Sequence, residues 1–245
     1  MSNVFYAPGG QRAAKVNDLF AAIARRYDLL NDLQSFGLHR RWKRRVIELA
    51  ALKSDNRALD LCCGTGDIAL ALAQCGAEVV GLDFSEAMLA IAEKRRQKAP
   101  PGHNANLRFI RGDAQQIPFP DNSFDAVTVG YGLRNLASWE TGLAEMARVA
   151  RPGGRLVVLD FGKPANPLWR AVYFAHLKIF VPLLGWIFSG HAQAYAYILE
   201  SLTHYPAQSG VAARMRDLNF ANVRVINLLG GAMAINYGEK ALPLH

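Results

Sequence analysis

The sequence predicts an α/β fold with a largely parallel sheet covered by helices on both faces. Three observations carry this. From residue 58 to residue 160, short apolar runs of strand length alternate with segments of helical spacing, the pattern of parallel strands joined by crossover helices. The first run breaks at Gly64-Thr65-Gly66 and is followed by Ile68, Leu70, Ala71 and Leu72, which makes a unit of strand, glycine turn and helix. At 245 residues, 51% of them hydrophobic, the chain can bury one sizeable core, so 1–245 is read as a single domain.

Residues 1–14 read as a loose tail. From Lys15, the spacing of Val16, Leu19, Phe20, Ile23, Tyr27 and Leu30 is helical and ends at Asn31-Asp32, an amphipathic lid or packing helix. A loop through Gly37 leads to a second helix carrying Trp42, Val46 and Leu49, so N-terminal helices are expected over 15–52. Strands follow at 58–62 and 78–82. Ser85 can then cap a helix that faces Met88, Leu89 and Ile91 inward and closes at Pro100-Pro101-Gly102. Further strands are expected at 107–110 and 124–131, a helix over 143–149, a stop at Arg151-Pro152-Gly153-Gly154, and a fifth strand over 155–160. Residues 168–188 are aromatic and aliphatic nearly throughout, broken by Arg170, His176, Lys178, Pro182 and Gly185. They fit a core helix pair, or a helical cover over 165–205 that lines an apolar pocket or dips into a bilayer surface. Helices near 194–202 and 209–218 precede strands at 223–228 and 232–237, joined as a hairpin by Gly230-Gly231.

The glycine turn carries chemistry. Glycine lets main-chain N–H groups approach a ligand, and Asp83, about 20 residues on at the end of the second strand, stands where such folds place an acceptor for ribose hydroxyls. Gly64, Gly66 and Ala69 satisfy the G-x-G-x-x-A dinucleotide pattern, so a nicotinamide or flavin enzyme is one candidate. Asp60 and Asp67 flank the turn, where they would repel a pyrophosphate. S-adenosylmethionine, with a sulfonium and an ammonium and no phosphate, suits those charges better.

Composition bounds the rest. Cys62, Cys63 and Cys75 are odd in number and lack CxxC spacing, which supports neither a disulfide framework nor a metal site; reduced thiols in a cytoplasmic protein are expected. The start of the chain carries no apolar leader, and no run of about 18 uncharged apolar residues occurs. The net charge of +8 gathers at Arg40, Arg41, Lys43, Arg44 and Arg45 and again at Arg95, Arg96 and Lys98. Such faces are solvated or meet an anionic membrane. No aromatic platform accompanies them, so nucleic acid is not expected as a partner.

Four segments together are specific: Tyr27-Asp28-Leu29-Leu30-Asn31-Asp32 with the later His39 and Trp42, residues 59–67 (LDLCCGTGD), Gly130-Tyr131-Gly132-Leu133-Arg134-Asn135, and Arg148-Val149-Ala150-Arg151-Pro152-Gly153-Gly154. With them the chain resembles the ubiquinone/menaquinone C-methyltransferases, a branch of the class I S-adenosylmethionine-dependent methyltransferases, from about Val16 to Tyr237. The resemblance implies a Rossmann-like seven-stranded mixed sheet with the last strand antiparallel, and methyl transfer from S-adenosylmethionine, without a metal, to a ring carbon of a polyprenylated quinol, leaving S-adenosylhomocysteine. Carried onto this chain, cofactor contacts fall on Asp60, Gly64, Thr65, Gly66, Asp83, Asp113, Ala114 and Gly130; taken by itself, Asp113 reads equally as a turn aspartate. Cys62-Cys63 stand where many members have small residues, and Gly130 where some have serine.

The segments Phe161-Gly162-Lys163-Pro164 and Val181-Pro182-Leu183-Leu184-Gly185 resemble menaquinone-pathway members, so demethylmenaquinol is the expected substrate, with a 2-methoxy-6-polyprenyl-1,4-benzoquinol, demethylphylloquinol or another small molecule as alternatives. A ring carbon becomes nucleophilic when a neighbouring hydroxyl ionises, so the enzyme should bind the reduced quinol and stabilise its oxyanion. Arg134 and Asn135 are the first candidates for that role; Tyr27 and His39, which packing or capping would equally explain, are the second. A homodimer is the oligomer to test, and the cytoplasm, with contact to an anionic membrane, is the expected location.

Overall fold

The computed structural model describes residues 12–23, 32, 35, 37–100, 106–189 and 192–243. Two helices, α1 (Arg12–Ile23) and α2 (Leu38–Ala50), precede β1 (Arg57–Leu61), α3 (Asp67–Ala73), β2 (Glu78–Asp83), α4 (Glu86–Lys98), β3 (Leu107–Arg111) and β4 (Phe124–Gly130). A 3-10 turn, Leu133–Asn135, leads to α5 (Trp139–Val149), β5 (Ala150–Phe161), α6 (Pro167–Ser189), α7 (Ala192–His204), α8 (Ala207–Asp217), β6 (Phe220–Leu228) and β7 (Met233–Lys240).

The seven strands form one sheet in the order β3-β2-β1-β4-β5-β7-β6. Strands β1 to β5 are parallel, whereas β7 runs antiparallel to both neighbours, with Leu159 opposite Ile235 and Ile226 opposite the same residue. The strands are apolar on both sides because both sides are covered. Leu59, Val80, Val127 and Val158 enter one core cluster with Leu143 and Met215, while Ala58, Val79, Ala126 and Val157 enter the other with Val46, Ile68 and Leu72. Strand order reverses between β1 and β4, so the connections after these strands diverge and leave a crevice at their carboxyl ends.

Three expectations are corrected. Residues 168–188 are one helix rather than a pair: Pro182 sits inside α6, which continues past it. Pro152 and the glycines after it do not stand between helix and strand; β5 begins at Ala150, pairs with Phe124, and shifts register before Ala126 pairs with Arg155. Ser85 precedes α4, yet its hydroxyl makes no capping bond. The first helix is described only to Ile23, so its expected continuation to Leu30, with Tyr27, lies outside the described residues.

Candidate functional site

The crevice holds a cleft with about 760 Å³ of atom-free space, open solvent at its mouth included. Its floor is made by the carboxyl ends of four neighbouring strands: Cys62 and Gly64 after β1, Leu82 and Asp83 of β2, Gly112 to Gln115 after β3, and Gly130 to Gly132 after β4. Val16, Asn17 and Phe20 of α1 close it from above, so the N-terminal helix is a lid as well as a packing element, with Leu19 buried in the core.

Gly64 and Gly66 both have left-handed backbones, φ 55 and φ 86. A side chain at Gly64 would meet nothing within 4 Å, because this residue borders the cleft, whereas a Cβ at Gly66 would lie 2.9 Å from the Phe109 ring. Asp83 staples the turn: Gly64 N donates to its Oδ2 at 2.8 Å and Ser85 N to its Oδ1 at 2.8 Å. Burial pushes the Asp83 carboxyl upward, against these backbone donors. A carboxylate oxygen that accepts one bond can accept another, and Asp83 lines the cleft. Asp113 also lines the cleft; its Oδ1 accepts from Gln115 N at 2.8 Å, the turn role it was also read to have.

Gly64, Asp83, Asp113, Ala114 and Gly130 thus meet in one place. Asp60, Thr65 and Gly66 do not line it. Thr65 is buried and accepts from Arg95 Nη1 at 3.0 Å. Asp60 lies inside the sheet, where Thr128 Oγ1 donates to its Oδ1 at 2.7 Å and its Oδ2 has no partner among the described residues. Burial raises its carboxyl to about 7.

Asp67 behaves differently from expectation. Lys43 Nζ approaches its Oδ2 at 2.5 Å and Arg95 binds the other oxygen, so its charge is compensated and by itself repels no phosphate. Its carboxyl sits below the usual range although burial opposes this. The charge case against a dinucleotide is correspondingly weaker. Part of the basic run of α2 is compensated as well: Arg40 pairs with Asp32 at 2.5 Å and Arg45 with Glu48 at 2.7 Å.

Among the catalytic candidates, Asn135 lines the cleft. Its Nδ2 donates to Tyr131 O at 2.9 Å, which leaves Oδ1, buried and without a partner among the described residues, as an acceptor. The second N–H of Nδ2 remains as a donor, so Asn135 can both accept from a hydroxyl and donate to an oxyanion. Arg134 is 6% exposed and does not line the cleft; Asp160 receives its Nη1 at 2.9 Å and its backbone N at 3.2 Å. His39 is buried in α2, away from the cleft, with Ser35 Oγ 2.8 Å from its Nδ1; burial first, and Lys43 next, lower its pKa.

Sequence reasoning missed Ser85, Met88 and Tyr131 in the cleft wall. Ser85 Oγ is buried and unpartnered among the described residues, and its position two residues after Asp83 was the available signal. Tyr131 offered one too, as the residue directly after Gly130. No group of three or more metal-ligating side chains occurs among the described residues.

The model of the ubiE/COQ5 methyltransferase family matches residues 9–240. The ubiquinone/menaquinone biosynthesis C-methyltransferase UbiE of Ectopseudomonas mendocina is 42% identical over 236 residues, 95% of this chain and 91% of that protein. Its counterpart from Azotobacter vinelandii is 41% identical, covering 95% of this chain and 92% of its own. Solved structures are more distant. An S-adenosylmethionine-dependent methyltransferase from Thermotoga maritima superposes with a TM-score of 0.62 at 18% identity, over 91% of this chain and 98% of that one. The [4+2]-cyclase SpnF gives 0.63 at 18% identity, over 99% and 100%. A cyclase and a methyltransferase on one architecture show that this likeness carries the fold and not the reaction.

Proposed function

Given that the chain belongs to the ubiE/COQ5 methyltransferase family, we propose that it transfers a methyl group from S-adenosylmethionine to a ring carbon of reduced, polyprenylated demethylmenaquinol. The observation that carries the cofactor half is Asp83, a carboxylate fixed by two backbone donors at the mouth of a glycine turn, with lone pairs left for two ribose hydroxyls. Asp113 and Ala114 would flank the adenine, and Gly64 and Gly130 allow close approach of the backbone. The cleft also holds two buried polar atoms that lack partners among the described residues, Ser85 Oγ and Asn135 Oδ1, as a polar ligand requires. When bound, the cofactor supplies an electrophilic methyl group on sulfur. The chain's part is then alignment of a ring carbon with that methyl, exclusion of bulk water, and orientation of the quinol hydroxyl before its proton leaves. Asn135 Oδ1 suits the last task because its amide is held in one orientation by the Tyr131 carbonyl.

Preference for the naphthoquinol rests on the likeness of residues 161–164 and 181–185 to menaquinone-pathway members. Lys163 of the first segment donates to Tyr205 O at 2.7 Å, and no residue of this segment lines the cleft. Comparing kcat/KM for demethylmenaquinol and for a 2-methoxy-6-polyprenyl-1,4-benzoquinol tests the preference. A higher value for the naphthoquinol is expected; a higher value for the benzoquinol would reverse the assignment.

The substrate's prenyl tail places the reaction at a lipid surface, and α6 supplies a face for it. Leu168, Val172, Ile179 and Leu183 are 76%, 51%, 58% and 47% exposed along one side, with Phe180 beside them, while Tyr173 and Leu177 are buried on the other. Arg170 and Lys178 are exposed on this helix, which contains no acidic residue, and the chain carries +8, so the proposed occupant is an anionic bilayer. Among the described residues no helix is long and apolar enough to cross a membrane. Flotation with anionic liposomes should recover the protein, less well at high salt and less well for Ile179→Ser/Phe180→Ser. Equal recovery with neutral liposomes would remove the electrostatic part, and absence of flotation would remove the surface altogether.

A further inference from the structure

Tyr131 follows the last residue of β4 and has a backbone φ of 62, in the left-handed region that non-glycine residues avoid. It is also a wall residue of the cleft, between Gly130 and Gly132. Three hydrogen bonds fix its peptide groups. Its N–H donates to Leu159 O at 2.7 Å, and its carbonyl accepts from Arg134 Nη1 at 2.5 Å and Asn135 Nδ2 at 2.9 Å. Arg134 is in turn immobilised: Asp160, 4% exposed at the end of β5, takes its Nη1 and its backbone N, and the guanidinium lies 4.5 Å from the Phe161 ring centroid. Asp160 is itself held by Phe161 N at 2.8 Å. Arg12 of the lid helix donates to Arg134 O at 2.6 Å, which ties the lid to the same turn.

We infer that Arg134 is a positioning residue: anchored by Asp160, its guanidinium acts with the Asn135 amide on the Tyr131 carbonyl and keeps a strained Tyr131 as a fixed wall of the cleft. The inference rests on the proposed methyl transfer only for its kinetic readout. Through Nη1 the buried guanidinium holds the Tyr131 carbonyl and the Asp160 carboxylate together, and Arg134 is not among the residues that line the cleft. Glycine adopts φ 62 without strain, so Tyr131→Gly removes the need for the clamp while leaving Arg134 in place.

The test is a double-mutant cycle on Tyr131→Gly and Arg134→Ala, read as S-adenosylmethionine affinity by calorimetry and as kcat and KM on the quinol. In the parent chain Arg134→Ala should weaken cofactor binding or turnover on the order of tenfold. In the Tyr131→Gly chain the same replacement should cost less than about threefold. Amide exchange at residue 131 should accelerate in Arg134→Ala. Equal losses in the two backgrounds would overturn the inference, since Arg134 would then act independently of the Tyr131 backbone. Because Arg134→Ala leaves Asp160 buried without its cation, Arg134→Leu/Asp160→Asn provides a charge-neutral version of the same cycle, read identically. Calorimetry needs no quinol, so a chain that methylates no quinol at all still yields the coupling, and the two failures are distinguishable.

Discussion

Replacing Asp83 by alanine separates what this carboxylate does for the fold from what it does for the ligand. In the free protein it accepts from Gly64 N and Ser85 N, both at 2.8 Å, and so ties the turn after β1 to the end of β2. Hydrogen bonds to a charged group contribute about 1.5–3 kcal/mol each, but at this half-buried rim water can replace part of that, so a loss of about 2–3 kcal/mol is expected for the pair. For a chain of this size each kcal/mol moves Tm by about 2–4 °C, which gives a fall of about 4–12 °C. Cofactor binding loses a further charged contact to the ribose, about 1.5–3 kcal/mol, or about 10- to 150-fold in Kd. Calorimetry below the lowered Tm measures the second effect and thermal melting the first. Asp83→Asn, which keeps one acceptor oxygen, should fall between wild type and alanine on both scales. A folded Asp83→Ala protein that binds S-adenosylmethionine within threefold of wild type would refute the assignment of Asp83 to the ribose.

Two further outcomes follow from the geometry. Burial raises the Asp60 carboxyl from the ordinary 3.8 to about 7, so the native state holds a proton that the unfolded chain releases between those values. Stability attributable to this group therefore falls as pH rises from about 4 to about 7, by on the order of a few kcal/mol, and Asp60→Asn should flatten that slope in denaturant titrations at several pH values; an unchanged slope would reject the buried, protonated state. A Cβ at Gly132 would lie 2.3 Å from Cys62 Cβ, so Gly132→Ala should lose about 1–3 kcal/mol of stability, and adding Cys62→Gly, tolerated because Cys62 already has φ 50, should restore most of it in urea melts. No restoration would mean that the clash is relieved elsewhere.

The parallel core was legible because β1, β2, β4 and the 155–160 part of β5 are mainly apolar stretches of strand length bounded by turn residues, and period and punctuation are local properties. Gly64, Asp83, Asp113 and Gly130 line the cleft because the carboxyl ends of parallel strands converge; the glycine turn and Asp83 were legible as local features, Asp113 and Gly130 as cofactor contacts only through the family resemblance. Residues 168–188 were not, because a segment apolar on nearly every side has no period to read, and Pro182 with Gly185 looked like an end where α6 continues. The partners of Asp67 were hidden as well. Lys43 lies 24 residues before it and Arg95 28 after it, and their approach depends on how α2 and α4 pack around the turn. The contact between Arg134 and Asp160 was hidden because it depends on strand register: Gly130 pairs with Leu159, which sets the turn after β4 beside Asp160 near the end of β5. Register is a long-range outcome, and no local pattern encodes it.

The most direct measurement is anaerobic transfer of an isotope-labelled methyl group from S-adenosylmethionine to demethylmenaquinol, with the quinone kept reduced in one arm and oxidised in the other. The account predicts labelled menaquinol and an equal amount of S-adenosylhomocysteine in the reduced arm, with little transfer in the oxidised arm, which has no hydroxyl to ionise. Full transfer to the oxidised quinone would contradict the mechanism, and no labelled menaquinol in the reduced arm would contradict the proposed function.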